Sequence, residues 1–384
     1  MINALPYLIL IIFYGGLAII HHQLKGDEKQ TYVNVISIGV YIIFFGFRGF
    51  IFYDWTSYYP EFSSLPDFGT LFTLNLLKWS WEPGFTILGV LCKSLFDDYQ
   101  FFIFICCLIN TYLLVKFFKR YVNNLPLALM IFLAMRGITL STDLMRNSIS
   151  LFIILNALQY IIEKKPLPYF LLCCVAVMFH SSALTFFPLY FLLNRKYNRW
   201  ILLSIFIAAN IIYIAHIPIL ESILSLFIGR LADSTQLWIK AYLEMDSSAV
   251  SFISIGYLER LLTGILLFCY FNKLCEMRKH NYIFVNSLFL CLCTFLFLSE
   301  FRTISVRCST LFCFAYWIVW IDLIKCFYYR NNKILFIAFI GIYCIMRTYG
   351  DCNSALASYY NVLFQNQTYN ERLLNFRQHF NDKD

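Results

Sequence analysis

The chain has 384 residues, of which 60% are hydrophobic and only 14% charged, and its formal net charge is +8. A soluble domain carries roughly 25% charged residues, so this composition excludes a soluble enzyme with an ordinary core. We expect an all-α polytopic transmembrane helical bundle of about 11–13 spans, built as a single multi-pass membrane domain over residues 1–384.

The positive charge does not indicate nucleic-acid binding, because the basic residues lie in short loops between apolar runs and no nucleic-acid-binding motif is present. Most of the 14 cysteines lie inside apolar runs, and none has the paired C-x-x-C spacing of a zinc or redox site. Asp97 and Asp98 are interpreted as solvated loop acids. The sequence therefore predicts neither a metal nor another cofactor.

Apolar runs follow one another along most of the chain. The first, from about Leu5 to Ile20, lacks the basic start and the cleavage site of a signal peptide, so we expect it to be the first spanning helix. Residues 84–96 form an amphipathic stretch that either lies in the interface or dips into the membrane and returns. Runs near 167–193 are shorter than the roughly 20 residues of a straight span and indicate a hairpin of short or broken helices. The runs occupy about 3–21, 32–52, 99–118, 125–141, 146–162, 167–180, 181–193, 200–220, 253–271, 282–299, 307–325 and 333–349.

Lysine and arginine alternate between the loops as the positive-inside rule describes. Basic loops recur at every second connection, which predicts that they face the cytoplasm and that both termini lie outside. The outer face then receives long loops at 53–82 and 221–252 and the C-terminal tail at 351–384. The basic loops contain Lys25 and Lys29; Lys116, Lys119 and Arg120; Lys164 and Lys165; Arg195, Lys196 and Arg199; Lys273, Arg278 and Lys279; and Lys325, Arg330 and Lys333.

A second set of charged residues lies near the outer ends of the apolar runs, where burial in lipid is costly. Several are arginines, which repel one another at one depth unless anions lie between them. Acidic residues are few, and a phosphate or pyrophosphate held by guanidinium groups would relieve this repulsion. The alternative for each arginine is a carboxylate partner or a side chain that extends to the interface. The set comprises Arg48, Arg136, Arg146, His180, Glu300, Arg302, Arg307, Arg347 and Asp351.

Two further residues near these ends each have a structural and a functional interpretation. Glu82 directly precedes Pro83 at a predicted helix start, where it either stabilises the helix N-terminus or belongs to a site. His180 precedes Ser181 and Ser182, and it either forms hydrogen bonds between helices or transfers a proton near neutral pH.

Four short motifs follow one another at these predicted helix ends. They are Arg48 with Asp54 and Tyr58; Glu82-Pro83-Gly84-Phe85; Leu144-Met145-Arg146-Asn147-Ser148-Ile149; and His180-Ser181-Ser182-Ala183-Leu184. In this order they resemble the EpsG family of Wzy-like polymerases, which make bacterial surface polysaccharides such as O-antigens and exopolysaccharides. The resemblance covers the N-terminal half well and the C-terminal half loosely, through Lys240-Ala241-Tyr242, Arg302 and Arg307.

The resemblance implies a membrane glycosyltransferase of glycosyltransferase-C-like architecture in the bacterial cytoplasmic (inner) membrane, with its site facing the periplasm or exterior. The implied reaction transfers a growing undecaprenyl-pyrophosphate-linked glycan onto the non-reducing-end sugar of the next lipid-linked repeat unit. The implied partners are this lipid-linked oligosaccharide, membrane lipid, a flippase and a chain-length regulator, without nucleic acid.

The implied chemistry needs charge stabilisation at the leaving group and a base near the acceptor. Arg146, Arg302 and Arg307 are assigned to pyrophosphate, with Arg48 as a further candidate. Glu82 and His180 are assigned to acceptor positioning or to the base, whereas Asp54 and Tyr58 shape the outer loop or contact sugar. Two alternatives remain: a flippase or transporter, whose charges should run through the membrane depth, and another lipid-carrier-dependent glycosyltransferase of the ligase type.

Overall fold

The computed structural model describes residues 3–69, 79–218, 254–365 and 367–381. Throughout these ranges the ordered elements are helices, and a single isolated bridge pairs Arg48 with Asn361. The predicted all-α class is therefore confirmed. The predicted outer loop at 221–252, with Lys240-Ala241-Tyr242, lies outside the described residues, as do residues 70–78 of the loop at 53–82.

Eighteen α-helices are described, together with a π-helical segment at Leu133–Gly137 and 3₁₀ segments at Ser181–Phe186 and Ala355–Ala357. The α-helices are α1 Leu5–Gln23, α2 Asp27–Gly46, α3 Trp55–Ser64, α4 Pro83–Leu95, α5 Tyr99–Tyr121, α6 Leu125–Phe132, α7 Ile138–Thr142, α8 Met145–Ile162, α9 Pro166–Val177, α10 Leu189–Leu192, α11 Arg199–Ile214, α12 Ile255–Cys269, α13 Phe271–Glu276, α14 Tyr282–Phe297, α15 Arg302–Thr310, α16 Phe314–Cys326, α17 Arg330–Cys352 and α18 Tyr369–Asn381.

Five described helical stretches are long and apolar enough to cross a membrane: α1, α5, Leu125–Thr142, α8 and α17. A bent pair, Thr303–Thr310 with Phe314–Cys326 at 63°, would make a sixth span. A polytopic helical membrane protein is thus confirmed. The count of 11–13 stays a prediction beyond six, because the remaining apolar helices have only 10–17 residues and a straight span needs roughly 20. These shorter helices are Pro83–Leu95, Pro166–Val177, Ser181–Leu192, Arg199–Ile214 and Tyr282–Phe297.

The helices form two compact units, one of residues 1–190 and 334–384 and one of residues 191–333. The expectation of one continuous multi-pass domain stays a prediction. In the first unit, α3, α4, α5 and α8 share a hydrophobic core that is rich in aromatic side chains. Trp81 and Phe102 stack with ring centroids 5.8 Å apart, and Phe85 packs edge-on against both rings. Aromatic pairs of this kind add to the stabilisation from area burial alone and fix the relative positions of the helix ends.

Hydrogen bonds show which helix ends meet in the first unit. Gln100 at the start of α5 donates to the Gly46 carbonyl at the end of α2, and Arg48 donates to carbonyls just before α8. At the other ends, Arg120 donates to Asn156 and Asn124 donates to the Ala18 carbonyl. Within this unit, the residues predicted to face outside therefore lie at one end, here called the site end, and the basic loops that belong to this unit lie at the other. Which end faces the cytoplasm stays a prediction.

Candidate active site

The centre of the candidate site is an ion pair between Arg146 and Glu82. Nη1 of Arg146 lies 2.8 Å from Oε2 of Glu82, and the two side chains are 24% and 20% exposed. Nη1 also approaches the Ser80 carbonyl at 3.4 Å, and Nε donates to the Tyr58 hydroxyl at 3.3 Å. Both N–H groups of Nη2 remain without an acceptor within the described part of the chain, so this edge of the guanidinium can bind an anion.

Glu82 reaches Arg146 because of the way α4 begins. Glu82 occupies the N-cap position and Pro83 opens the helix, as expected of a proline at a first turn. The Glu82 carboxylate makes no capping hydrogen bond. Instead Oε2 binds Arg146 and Oε1 accepts the Ser181 N–H at 3.2 Å. Of the two interpretations of Glu82, the geometry favours membership of a site.

Gly84 allows this arrangement. Its N–H donates to the Met178 carbonyl at 2.8 Å, which joins the start of α4 to the end of α9. A Cβ at position 84 would lie 2.8 Å from the same carbonyl oxygen, closer than side-chain carbons normally approach. Only glycine fits here without displacement, and the close approach is what sets Glu82 beside Ser181.

His180 directly precedes the residue that binds Glu82. It is the N-cap of the 3₁₀ segment Ser181–Phe186, and its Nδ1 accepts the Ser182 N–H at 3.1 Å. Nδ1 also lies 2.8 Å from the Ser182 hydroxyl oxygen. With Nδ1 as the acceptor of both Ser182 groups, neutral His180 is assigned the tautomer protonated on Nε2. In that tautomer the remaining ring nitrogen is a donor and not a base.

Tyr58 supports the guanidinium from the side of α3. The Arg146 guanidinium carbon lies 5.5 Å from the centroid of the Tyr58 ring, and the ring is buried against Trp81 and Phe85. Burial raises the pKa of the Tyr58 phenol, so the hydroxyl remains protonated at neutral pH. The predicted site residues Tyr58, Glu82, Arg146 and His180 are thus gathered within one unit at one end.

Hydrogen bonds in both directions join the turn before α8 to the segment that follows α2. Arg48 is 2% exposed and donates to the carbonyls of Ser141 at 3.2 Å and Thr142 at 2.7 Å. In return, Oδ1 of Asp143 accepts the N–H groups of Tyr53 at 2.9 Å and Asp54 at 3.1 Å. These contacts fix the segment that leads into α3 and Tyr58.

Arg48 and Asp54 therefore lie beside the site with partners supplied by the protein. Nη1 of Arg48 also donates to the Gly49 carbonyl at 3.4 Å, so donors on all three of its nitrogens have acceptors. The contact of Arg48 with pyrophosphate and that of Asp54 with sugar stay predictions. The geometry gives Arg48 a positioning role, and Asp54 takes part in the same arrangement through its backbone N–H.

The second unit contains the other two predicted arginines. Arg302 and Arg307 lie on α15, where Arg307 is exposed and the side chain of Arg302 is outside the described part. Their assignment to pyrophosphate stays a prediction.

Two adjacent charged residues in this unit, Glu259 and Arg260 on α12, are absent from the predicted site. Glu259 is 2% exposed and accepts the Thr263 hydroxyl at 2.8 Å, while the Arg260 guanidinium stacks 3.7 Å from the centroid of the Phe295 ring. Two adjacent charges in the middle of an apolar run were the signal that could have revealed them.

The acidic pair considered as a metal site has other partners. Oδ1 of Asp98 caps α5 by accepting the Gln100 N–H, and Asp97 lies 3.9 Å from Lys93 with 74% of its side chain exposed. Among the described residues no three histidine, cysteine or acidic side chains gather into a metal-binding group.

The model of the EpsG family matches residues 31–362, nearly the whole chain. The chain belongs to the EpsG family. EpsG proteins are Wzy-like polysaccharide polymerases, so membership supports a membrane polysaccharide polymerase, which agrees with the apolar helices. No curated protein and no solved structure matches the chain. The EpsG match includes every residue of the candidate site and ends before α18.

Proposed function

We propose that this EpsG protein polymerises a cell-surface polysaccharide at the Arg146–Glu82 site, using undecaprenyl-pyrophosphate-linked repeat units. One observation carries the proposal: the Glu82 carboxylate contacts both the Arg146 guanidinium and the backbone N–H of Ser181, the residue after His180. Arg146, Glu82 and His180 come from three separate sequence motifs, and the family resemblance implies this chemistry for each of them.

The proposed reaction is a substitution at the anomeric carbon of the growing glycan. The acceptor hydroxyl oxygen forms a bond to this carbon, the bond from the carbon to the pyrophosphate oxygen breaks, and the lipid pyrophosphate leaves with both bonding electrons. Nη2 of Arg146 can bind the negative charge that grows on the leaving group. Stabilisation that increases toward the transition state is what accelerates the chemical step.

Glu82 is the proposed base that accepts the proton of the acceptor hydroxyl. The alternative base, His180, is less suited to this role because its Nδ1 already accepts the Ser182 N–H. We assign His180 to acceptor positioning. Glu82 retains lone pairs beyond its contacts with Arg146 and Ser181, so it can accept a further hydrogen bond from an incoming hydroxyl.

The proposed orientation places the site end of the first unit on the periplasmic or exterior side of the bacterial cytoplasmic membrane. The basic loops at the other end support it through the positive-inside rule. A transporter is less well supported, because the charged contacts of the first unit concentrate at one end. A ligase-type glycosyltransferase would share the leaving group and differ only in its acceptor.

The proposal is tested by the glycans of cells that lack the protein. Loss of a polymerase should leave surface glycans of one repeat unit, whereas loss of a flippase should remove them, and loss of a ligase should leave long lipid-linked chains. Arg146→Ala should reproduce the one-unit pattern at normal protein levels, because losing one transition-state contact costs about 2–4 kcal/mol, or roughly 100-fold or more in rate. Arg377→Ala removes an exposed arginine and is the matched control. Wild-type chain lengths in well-expressed Arg146→Ala would overturn the proposal.

A further inference from the structure

The tail helix α18 is fixed onto the site end of the first unit by aromatic contacts. Tyr369 stacks on Tyr59 with ring centroids 4.3 Å apart, and Phe376 packs edge-on against Trp55 at 5.6 Å. Tyr59 and Trp55 belong to α3, which also carries Tyr58 of the candidate site. The EpsG match ends at residue 362, so α18 is a feature of this chain outside the matched region.

Arg372 of α18 is buried in an unusual environment for a charged side chain. It is 8% exposed, and its Nε donates to the Phe50 carbonyl at 2.9 Å. Nη2 donates to the carbonyls of Leu356 at 3.3 Å and Ser358 at 3.1 Å. Three of the five N–H groups are therefore used, and both on Nη1 have no acceptor among the residues that the structure describes. Within the described ranges no carboxylate lies within ion-pair distance of this guanidinium.

A buried guanidinium without an opposite charge is costly, since removal from water penalises the charged form by several kcal/mol. Burial accordingly lowers the pKa of Arg372, against the smaller influence of Tyr360 and Tyr7. The backbone carbonyls offset part of this cost and also hold the planar group in one orientation. An arginine oriented in this way is prepared to bind an anion through Nη1.

A cavity of about 220 Å³ opens beside Arg372. The residues that line it include three polar ones, Asn3, Ser358 and Asn375, and one aromatic, Phe376. Pockets for drug-sized ligands have roughly 300–1,000 Å³, so this cavity suits a group no larger than about one sugar residue. Amide and hydroxyl groups can bind sugar hydroxyls, and an aromatic ring can pack against the apolar face of a sugar ring.

We infer that this cavity binds the carboxylate of an acidic sugar residue in the glycan substrate, with Nη1 of Arg372 as the cationic partner. The inference rests on the proposed function, because it takes the ligand to be part of the growing glycan. The cavity would hold a sugar some distance from the reacting bond and thereby select repeat units that contain an acidic residue. Binding energy from such a remote contact favours the correct substrate.

The test measures binding of glucuronate and of glucose to the full-length protein in lipid nanodiscs. Asn375→Asp places a carboxylate three residues from Arg372 on the same helix, so it can occupy Nη1 without removing the arginine and its carbonyl contacts. Arg372→Gln removes the charge directly and serves as a second variant. Arg377→Gln makes the same charge change at an exposed position of α18 and is the matched control.

Glucuronate should bind wild type and Arg377→Gln with equal affinity and should bind Asn375→Asp at least tenfold more weakly, because a charge-assisted contact is lost. Glucose should bind all forms at least tenfold more weakly than glucuronate binds wild type. Equal glucuronate affinity in wild type and Asn375→Asp would overturn the inference. Inorganic phosphate binding as tightly as glucuronate would also overturn it, since the cavity would then recognise any small anion.

This measurement needs no polymerisation, so it separates the inference from the proposed function. If glycan chains elongate normally in cells but glucuronate binds wild type and Asn375→Asp with equal affinity, the acidic-sugar site is rejected and the proposed function is retained. Glucuronate binding that follows the predicted pattern would retain the acidic-sugar site whatever the chain-length pattern in cells.

Discussion

Replacing Gly84 by alanine tests whether the close approach of α4 to α9 positions Glu82. The added Cβ would lie 2.8 Å from the Met178 carbonyl oxygen, whereas ordinary contact begins at 3.4 Å, so the backbone must move by about 0.6 Å. A misplacement of 1 Å at a reacting group can cost roughly 100-fold in rate, so a shift of this size predicts a loss of roughly 10-fold. The clash should also destabilise the fold by about 1–3 kcal/mol.

The assay is the rate of glycan elongation by purified protein in nanodiscs, measured with the thermal unfolding midpoint. Gly39→Ala is the matched control, because a Cβ at position 39 of α2 meets no atom within 4 Å. We expect Gly39→Ala to elongate at the wild-type rate and Gly84→Ala to elongate more slowly, including at temperatures where both are folded. A folded Gly84→Ala protein with the wild-type elongation rate would refute the positioning argument.

Four further predictions follow from the same geometry. Arg146→Lys should restore only part of the activity lost in Arg146→Ala, because lysine keeps the charge but cannot contact Glu82 and an anion through separate nitrogens of one planar group, and full restoration would contradict the role given to Nη2. Burial and the nearby Asp54 raise the pKa of Asp143 to about 7, so the folded protein should lose stability as pH rises from about 4 through 7. The unfolding midpoint should fall less over this range in Asp143→Asn, and an identical pH profile would contradict the assignment. Elongation should continue in excess chelator, and activity that stops with EDTA and returns with magnesium would revive a metal-dependent mechanism. Single cysteines at Ser64 and Lys119 should label from opposite sides of the membrane, and labelling from one side would reject the orientation.

Much of the candidate site was predictable because its residues lie at the ends of apolar runs. Hydropathy places Glu82, Arg146 and His180 at helix ends, and the alternation of basic loops assigns those ends to one side. Their contacts with Ser181 and Tyr58 depend on how α3, α4 and α9 pack together, which hydropathy does not specify. The role of Gly84 likewise follows only from the position of the Met178 carbonyl.

Other features could not be predicted from the sequence because they depend on tertiary packing. Arg372 lies in a polar amphipathic helix, where an arginine is usually exposed. Its side chain is buried because aromatic residues of this helix pack against α3, which is distant in sequence. The charge and depth of Arg48 indicate a substrate ligand, and that role stays a prediction. Its hydrogen bonds to the carbonyls of a turn about 93 residues later in the chain depend on packing, which hydropathy does not specify. The number of spans also depends on short helices, whose membrane depth is set by packing and not by length.

The central claim is that this EpsG protein joins lipid-linked repeat units to one another. Purified protein in nanodiscs should be given only an undecaprenyl-pyrophosphate-linked repeat unit, and the glycans should then be released and separated by size. The account predicts a ladder of two and more repeat units, with one undecaprenyl pyrophosphate released for each new linkage and no ladder from Arg146→Ala. Recovery of single repeat units alone from active, folded wild-type preparations would contradict it.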